Sequence, residues 1–233
     1  MAHYYIFADK DATLLRNNDI DSTGSLKNQG KDEILEVGKT FKENSTQFNS
    51  ICRALIQFPL TNISKSVASG EIGPDVKFYL NLYDAGATEV KDPTIIYANA
   101  ASQSWSEGTG KLINNPQTTD GASWKYRTAS TESKWSTVNA RLGGTWYEAS
   151  SSSYTFDKNK SFDPRFDVTE IVNSWISGSI INDGFLIKRD SGEETSSTDY
   201  GMYKFFFSDT HTVFPPKLEA VWDDSTWDTG SLT

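Results

Sequence analysis

A chain of 233 residues with a net charge of −9 lacks the surplus of Lys and Arg that neutralises phosphates, which excludes naked nucleic acid as a partner. Its single cysteine excludes an intrachain disulfide, and no apolar run approaches the ~20 residues of a membrane-crossing helix, so membrane insertion is not expected. A domain of this length buries roughly 70% of its unfolded surface and needs neither metal nor disulfide to fold.

The composition favours strands. Thirteen Phe, 10 Tyr and 7 Trp stand against 2 Met, and aromatic residues fit a pleated, half-buried surface. The chain opens without a basic segment leading into a long apolar stretch, so no secretory signal is read and synthesis in the cytoplasm is expected. The first strand candidate is Tyr4 to Ala8, followed by Ala12 to Leu15. A polar loop from Asn17 to Gly30 precedes Glu33 to Gly38. Ser50 to Phe58 has the two-residue period of a half-buried strand and is ended by Pro59. Within it Cys52 reads as a small core residue. In Asp75 to Asp84, Val76, Phe78, Leu80 and Leu82 face one way, and Thr94 to Ala100 reads as a further strand.

From Ser102 to Tyr154 the chain becomes polar and Gly-rich, studded with Trp105, Trp124, Trp135 and Trp146. Structureless connections beyond ~15 residues are uncommon in compact domains. Short strands and ordered loops pinned by tryptophans are therefore expected, with Ser150 to Ser153 as a flexible tip. One helix is predicted over Val168–Ile176. Asp167 would cap it, Glu170 has capping-box spacing, and Val168, Ile171, Val172 and Trp175 form an apolar stripe closed by Gly178. Gly184–Arg189 and Met202–Phe207 read as strands joined by an acidic, Ser/Thr-rich hairpin loop, and Lys217–Trp222 closes the fold. The expectation is an all-β, jelly-roll-like sandwich of about nine or ten strands with one short helix. It would form one domain over 1–222, with an acidic tail or extended arm at 223–233.

Little in the chain suggests catalysis. His3 and His211 are the only histidines and no nucleophile-elbow pattern accompanies them. One Cys and two distant His make no zinc set. Glu107, in the turn Trp105-Ser106-Glu107-Gly108, is the most tempting general acid, although a carboxylate accepting backbone N–H bonds in a tight loop explains it as well. No catalytic, cofactor or metal residue is assigned. A structural Ca²⁺ could draw oxygens from Asp9 and Asp11, or from Asp163, Asp167, Asp223 and Asp224. The run Trp124-Lys125-Tyr126-Arg127 offers rings for stacking on sugars, and the same rings could plug the long loops or contact a subunit.

Four segments, in order, resemble the DNRLRE-type domain, a jelly roll related to carbohydrate-binding modules and found in surface and phage virion proteins. They are Ala8 to Thr13 with Leu35-Glu36-Val37-Gly38, Arg53 to Leu60, Ser104 to Gly110 with the following Trp residues to Trp146, and Asp167 to Trp175 with Asn182 to Ile187. Pro59 follows Phe58 where the family usually carries aspartate. The closing run Asp209 to Glu219, with Trp222 to Ser225, is most similar to virion structural proteins of tailed marine phages (cyanophages). The resemblance implies a non-enzymatic virion component in the neck, baseplate, fibre attachment or capsid surface. Its partners would be other virion proteins and copies of itself, reached through the N-terminal residues or the tail. The alternative it implies is a carbohydrate-binding module attaching a virion or enzyme to cell-surface glycan.

Overall fold

The computed structural model describes residues 1–17, 26–41, 48–128, 133–136, 142–157 and 159–225. Among them are 13 strands and three helices, arranged as the expected all-β sandwich. Four strands form the smaller sheet, in the order β1 (Ala2–Phe7), β13 (Lys217–Trp222), β5 (Lys77–Asn81) and β10 (Arg165–Asp167). The larger sheet runs β12 (Gly201–Phe206), β3 (Ile34–Phe41), β4 (Phe48–Gln57), β11 (Phe185–Arg189), β6 (Thr94–Ala101) and β9 (Trp146–Phe156), and β2 (Lys10–Asn17) also pairs with β4. The short hairpin β7 (Tyr126–Thr128) and β8 (Ser133–Lys134) stands apart. The chain crosses between the sheets after β1, β4, β5, β9, β10 and β12, the wrapping that gives a jelly roll its two layers.

Alternation of side chains decides what each sheet buries. Ile6 lies opposite Leu218, which lies opposite Leu80, which lies opposite Phe166. All four point inward to Leu35, Val37, Ala54, Ile56, Ile96, Phe185 and Tyr203 of the larger sheet, in one continuous core running from Ile6 to Ala220. The opposite face of the larger sheet is also buried. Ala12, Leu14, Ile51, Leu55 and Leu186 meet Trp105, Ala122, Trp124, Trp135 and Trp146 in a second core. The segment between β6 and β9 is therefore a third layer, and its tryptophans plug it onto the sheet as expected. The indole N–H of Trp135 donates to the carbonyl of Ser123 at 2.9 Å, and that of Trp105 to Asp183 at 2.9 Å.

Three local readings are corrected. The Ser150–Ser153 tip is part of β9, paired with β6 from Thr94↔Phe156 to Asn99↔Ser151, because the flanking Trp146 and Phe156 are anchored in the two cores. Two helices join the predicted one. In α1 (Thr61–Ala68), Ile63 is buried and Val67 packs behind it. The loop after β11 holds α3 (Ser191–Thr195), whose Asp190 carboxylate accepts from the Gly192 N–H at 2.7 Å. The predicted helix, α2, spans Thr169–Ile176 with Val168 as its N-cap. Asp167 belongs to β10 opposite Tyr79, so its carboxylate reaches only the Thr169 N–H and hydroxyl, at 3.1 and 2.6 Å. Gly178 follows the C-cap with φ 75°, as its place in the sequence suggested. Cys52 is buried, and the tail beyond residue 225 lies outside the described residues.

Close approach requires glycine where the third layer meets the sandwich: a Cβ on Gly30 would lie 2.0 Å from the Glu107 carbonyl oxygen. Trp135, 1% exposed, is the ring whose loss should be felt most in this layer. Trp135→Ala is expected to cost about 3–5 kcal/mol in chemical denaturation, whereas Trp135→Phe keeps most of the burial and loses less.

Candidate functional site

Two clusters of charged side chains hold the third layer in place. The first gathers around the turn that drew attention in the sequence. The backbone N–H of Asp11, in β2, donates to Glu107 Oε1 at 3.2 Å. Lys31 Nζ lies 2.6 Å from Glu107 Oε2 and 3.1 Å from Asp209 Oδ2. Asp11 is fully buried and accepts from the Ser208 N–H and hydroxyl at 2.8 and 2.7 Å. Behind them Asn28, also fully buried, donates to the carbonyls of Glu107 and Ala122, and its Oδ1 accepts from the Gly30 and Gly110 N–H groups. Lys10 extends to the Trp105 carbonyl at 2.8 Å and lies over the Trp105 ring.

Burial pushes the Asp11 carboxyl up to about 7, the neighbouring carboxylates of Glu107 and Asp209 add to this, and the bonds from Ser208 oppose it. Burial draws the Lys31 ammonium down, but its pairing with Glu107 and Asp209 outweighs that and leaves it raised. A protonated carboxyl beside an ionised one is an arrangement that acid–base enzymes use. Here, however, Asp11 is sealed under Ser208 and Lys31 stands on Glu107. Asp11, Glu107 and Asp209 form the only group of three candidate metal ligands among the described residues. Lys31 already supplies the positive charge between two of them, whereas Ca²⁺ would need about six to eight oxygens. Asp9, proposed from sequence beside Asp11, is not in this group. The other Ca²⁺ candidates have separate tasks: Asp163 accepts from the Asp84 N–H, Asp167 from Thr169, Asp223 from the Ser225 N–H, and Asp224 pairs with the Met1 ammonium.

The second cluster is centred on Arg53 in β4, 3% exposed. Its guanidinium bonds Glu194 of α3 through Nε at 3.0 Å and Nη2 at 2.7 Å, and Nη1 donates to the carbonyls of Leu142 and Gly143. It also lies over the rings of Trp124 and Trp146, at 4.8 and 5.3 Å. Sequence inspection identified Arg53 only through the family resemblance, and missed Glu194, Lys31, Asn28 and Asp209. No spacing signal could find them, since Arg53 and Glu194 are 141 positions apart.

The solvent face of the smaller sheet carries a different chemistry. Across β1, β13, β5 and β10 the rows read Phe7, Lys217, Asn81, Arg165, then Tyr5, Glu219, Tyr79, Asp167. Glu219 accepts from Arg165 Nε and Nη2, at 3.1 and 3.0 Å, and lies 2.8 Å from His3 Nδ1. Burial raises this carboxyl, and the bonds from His3, Arg165 and Asn81 pull it below its ordinary value. Arg165 stacks on Tyr79 at 3.3 Å, and Lys217 sits over the rings of Tyr5 and Tyr83. His211 is exposed in the turn before β13.

Removing Arg53 would strand the Glu194 carboxylate in the interior. Arg53→Met is expected to destabilise by about 3–5 kcal/mol in urea unfolding. Arg53→Lys, which cannot fork onto both carboxylate oxygens, should recover only part of that loss. Asp11 predicts a pH dependence. Its carboxyl titrates near 7 when folded against 3.8 unfolded, so its contribution is fullest below the lower value and falls as the pH rises through the upper one. The urea midpoint of Asp11→Asn should therefore gain on that of the wild type as the pH rises from about 4 to about 8. A difference independent of pH would show that Asp11 is already ionised when the fold is stable.

The chain matches no protein-family model and no curated protein.

Proposed function

We propose that this chain is a non-enzymatic structural component of a tailed-phage particle, acting through contacts with other virion proteins and with copies of itself. The carrying observation is where its apolar surface lies. Trp105, Trp124, Trp135 and Trp146 are spent on internal packing, while Tyr4, Tyr5, Phe7, Val213 and Phe214 remain exposed. Phe214 packs on Tyr83 and Phe206, and Lys217 bridges Tyr83 and Tyr5. Tyr5 and Phe214 are therefore linked through Lys217 and Tyr83 along the β1–β13 border, with Phe7 opposite Lys217. Contiguous apolar surface of this kind marks protein contacts, and Tyr and Phe are enriched at their centres.

The groups that the sequence singled out for chemistry have other places in the described structure. His3 is held on Glu219, His211 is exposed in a turn, and Glu107 is tied to Lys31. The kind of particle follows from the resemblance of residues 209–225 to virion proteins. Carbohydrate attachment has less support, because the Trp124 ring is packed under Arg53 and cannot lie flat against a sugar. Among the described residues no helix is long and apolar enough to cross a membrane.

The test is a density map of purified native particles combined with quantitative mass spectrometry of their proteins. Recovery of the chain at a fixed copy number, with the border of β1 and residues 213–214 against a neighbour, is the expected result. Its absence from the particles would overturn the proposal. Glycan-array binding, with or without Ca²⁺, by a chain absent from particles would replace it with carbohydrate attachment.

A further inference from the structure

We infer that strand β1 is a self-association edge, and that two copies of this chain pair antiparallel along it about a two-fold axis at Tyr5, joining their smaller sheets into one. The inference deepens the assembly reading by naming the surface and the partner.

Terminal strands are normally guarded, because their unpaired N–H and C=O groups capture other strands. β2, which among the described residues pairs only with β4, has its Asp11 and Thr13 N–H groups bonded to Glu107 and Gln29. Of the four strands that end the main paths of the two sheets, three are guarded. β10 has only three residues, with exposed Arg165 and Asp167. β12 is covered by bridges from Asp84 to Phe205 and from Thr88 to Met202. β9 turns Glu148 and a run of serines outward. β1 has no such device. Its six residues, Ala2-His3-Tyr4-Tyr5-Ile6-Phe7, include no Lys, Arg, Asp, Glu, Pro or Gly, and its one ionisable basic side chain, His3, is engaged by Glu219. Among the described residues β1 pairs only with β13.

The backbone is set for a second strand. Ala8 donates its N–H to the Pro216 carbonyl, and hydrogen-bonded pairs alternate along an antiparallel ladder. Ile6, Tyr4 and Ala2 therefore turn their backbone groups to β13, and His3, Tyr5 and Phe7 turn theirs to the open edge. An antiparallel copy centred on Tyr5 matches this phase. Tyr5 meets Tyr5, and His3 and Phe7 meet each other twice, each pair exchanging both of its backbone bonds.

The same register is complementary in its side chains. On the solvent face it assembles the rings of His3, Tyr5 and Phe7 from both copies, where aromatic cross-strand pairs contribute roughly 0.2–1 kcal/mol each. On the other face it sets Tyr4 against Ile6 of the second copy, at a groove of about 260 Å³ lined by Tyr4 to Phe7, Pro59 and Thr61 to Ile63. No charge is placed opposite a like charge, which matters for copies that each carry −9. An occupant with acidic residues at these positions would gain no cation along the strand, so the chain's own strand fits the edge best.

Area sets the strength. Tyr4, Tyr5 and Phe7 are 43%, 48% and 54% exposed. At roughly 200 Å² per ring, two copies bring about 600 Å² of aromatic surface together. That is below the ~1,200 Å² of stable pairwise complexes. The free dimer is therefore weak, and many copies in one particle would reinforce it.

Analytical ultracentrifugation of the full chain from about 5 to 500 μM should show a monomer–dimer equilibrium. Tyr5→Lys, which sets two ammonium groups face to face at the axis, should abolish the dimer while circular dichroism and thermal midpoint stay near wild type. Tyr5→Cys should be joined into a covalent dimer by a short bis-maleimide cross-linker, since a hydrogen-bonded pair at the axis holds its Cα atoms ~5.5 Å apart, and buried Cys52 does not compete. Ser152→Cys on β9 should stay monomeric. A wild type that is monomeric throughout, or a Tyr5→Cys variant that does not cross-link, overturns the inference, as does an open-ended series of oligomers. These readings need only the purified chain, so they can fail while the particle assignment stands, and the reverse.

Discussion

The fork between Arg53 and Glu194 is the interaction on which the outer half of the molecule depends. A guanidinium 3% exposed is tolerable only when its donors are met, and here a carboxylate, two carbonyls and two indole faces meet them. The partners come from three parts of the chain: α3 supplies Glu194, the third layer Trp124 and the carbonyls of residues 142–143, and the start of β9 Trp146. Gathered around one buried cation, they are held in a single arrangement, because each alternative leaves charge unpaired in the interior.

The larger sheet is consequently buried on both faces, which is unusual for an antiparallel sheet. Antiparallel sheets commonly leave one face to water, and the smaller sheet does so, with Tyr5, Tyr79, Glu219 and Arg165 outward. The larger one instead carries Leu14, Leu55 and Leu186 on its outer face. Its cover is a long segment with little regular structure, pinned by indoles and by the Asn28 amide, which satisfies two carbonyls and two N–H groups at once. The Asp11, Glu107, Lys31 and Asp209 cluster closes the other end of this cover. Chemistry that resembles an active site in outline is there a fastening, since the unusual carboxyl is sealed from any substrate.

This division of labour bears on function. The side chains most suited to ligand binding, the tryptophans and the raised carboxyl, are consumed in holding the third layer. The smaller sheet offers a polar aromatic face, the exposed loop at 213–214 and the edge of β1. Under the proposed assembly role these are the features that would lie against other protein, since a strand edge without charge or proline is tolerated where pairing is useful.

The strand pattern, the Trp-rich insertion, the α2 stripe and the buried character of Cys52 were legible in the residues themselves, because they rest on periods of two and 3.6 and on the size of an indole. The short helices α1 and α3 and the full length of β9 were not, since α1 has only Ile63 and Val67 as large apolar residues, α3 has none, and serine has little preference for a strand. Glu107 was legible as a residue of interest, but its role was open, because the ammonium that neutralises it comes from Lys31 and the carboxyl beside it from Asp11. By itself, then, the sequence determined that the chain forms a β-sandwich with a Trp-rich insertion. Tertiary structure alone decided which charges meet, which sheet face is sealed and which strand edge stays open, because those depend on segments far apart in the chain, such as Arg53 and Glu194 at 141 positions, and their approach is set by how the two cores pack.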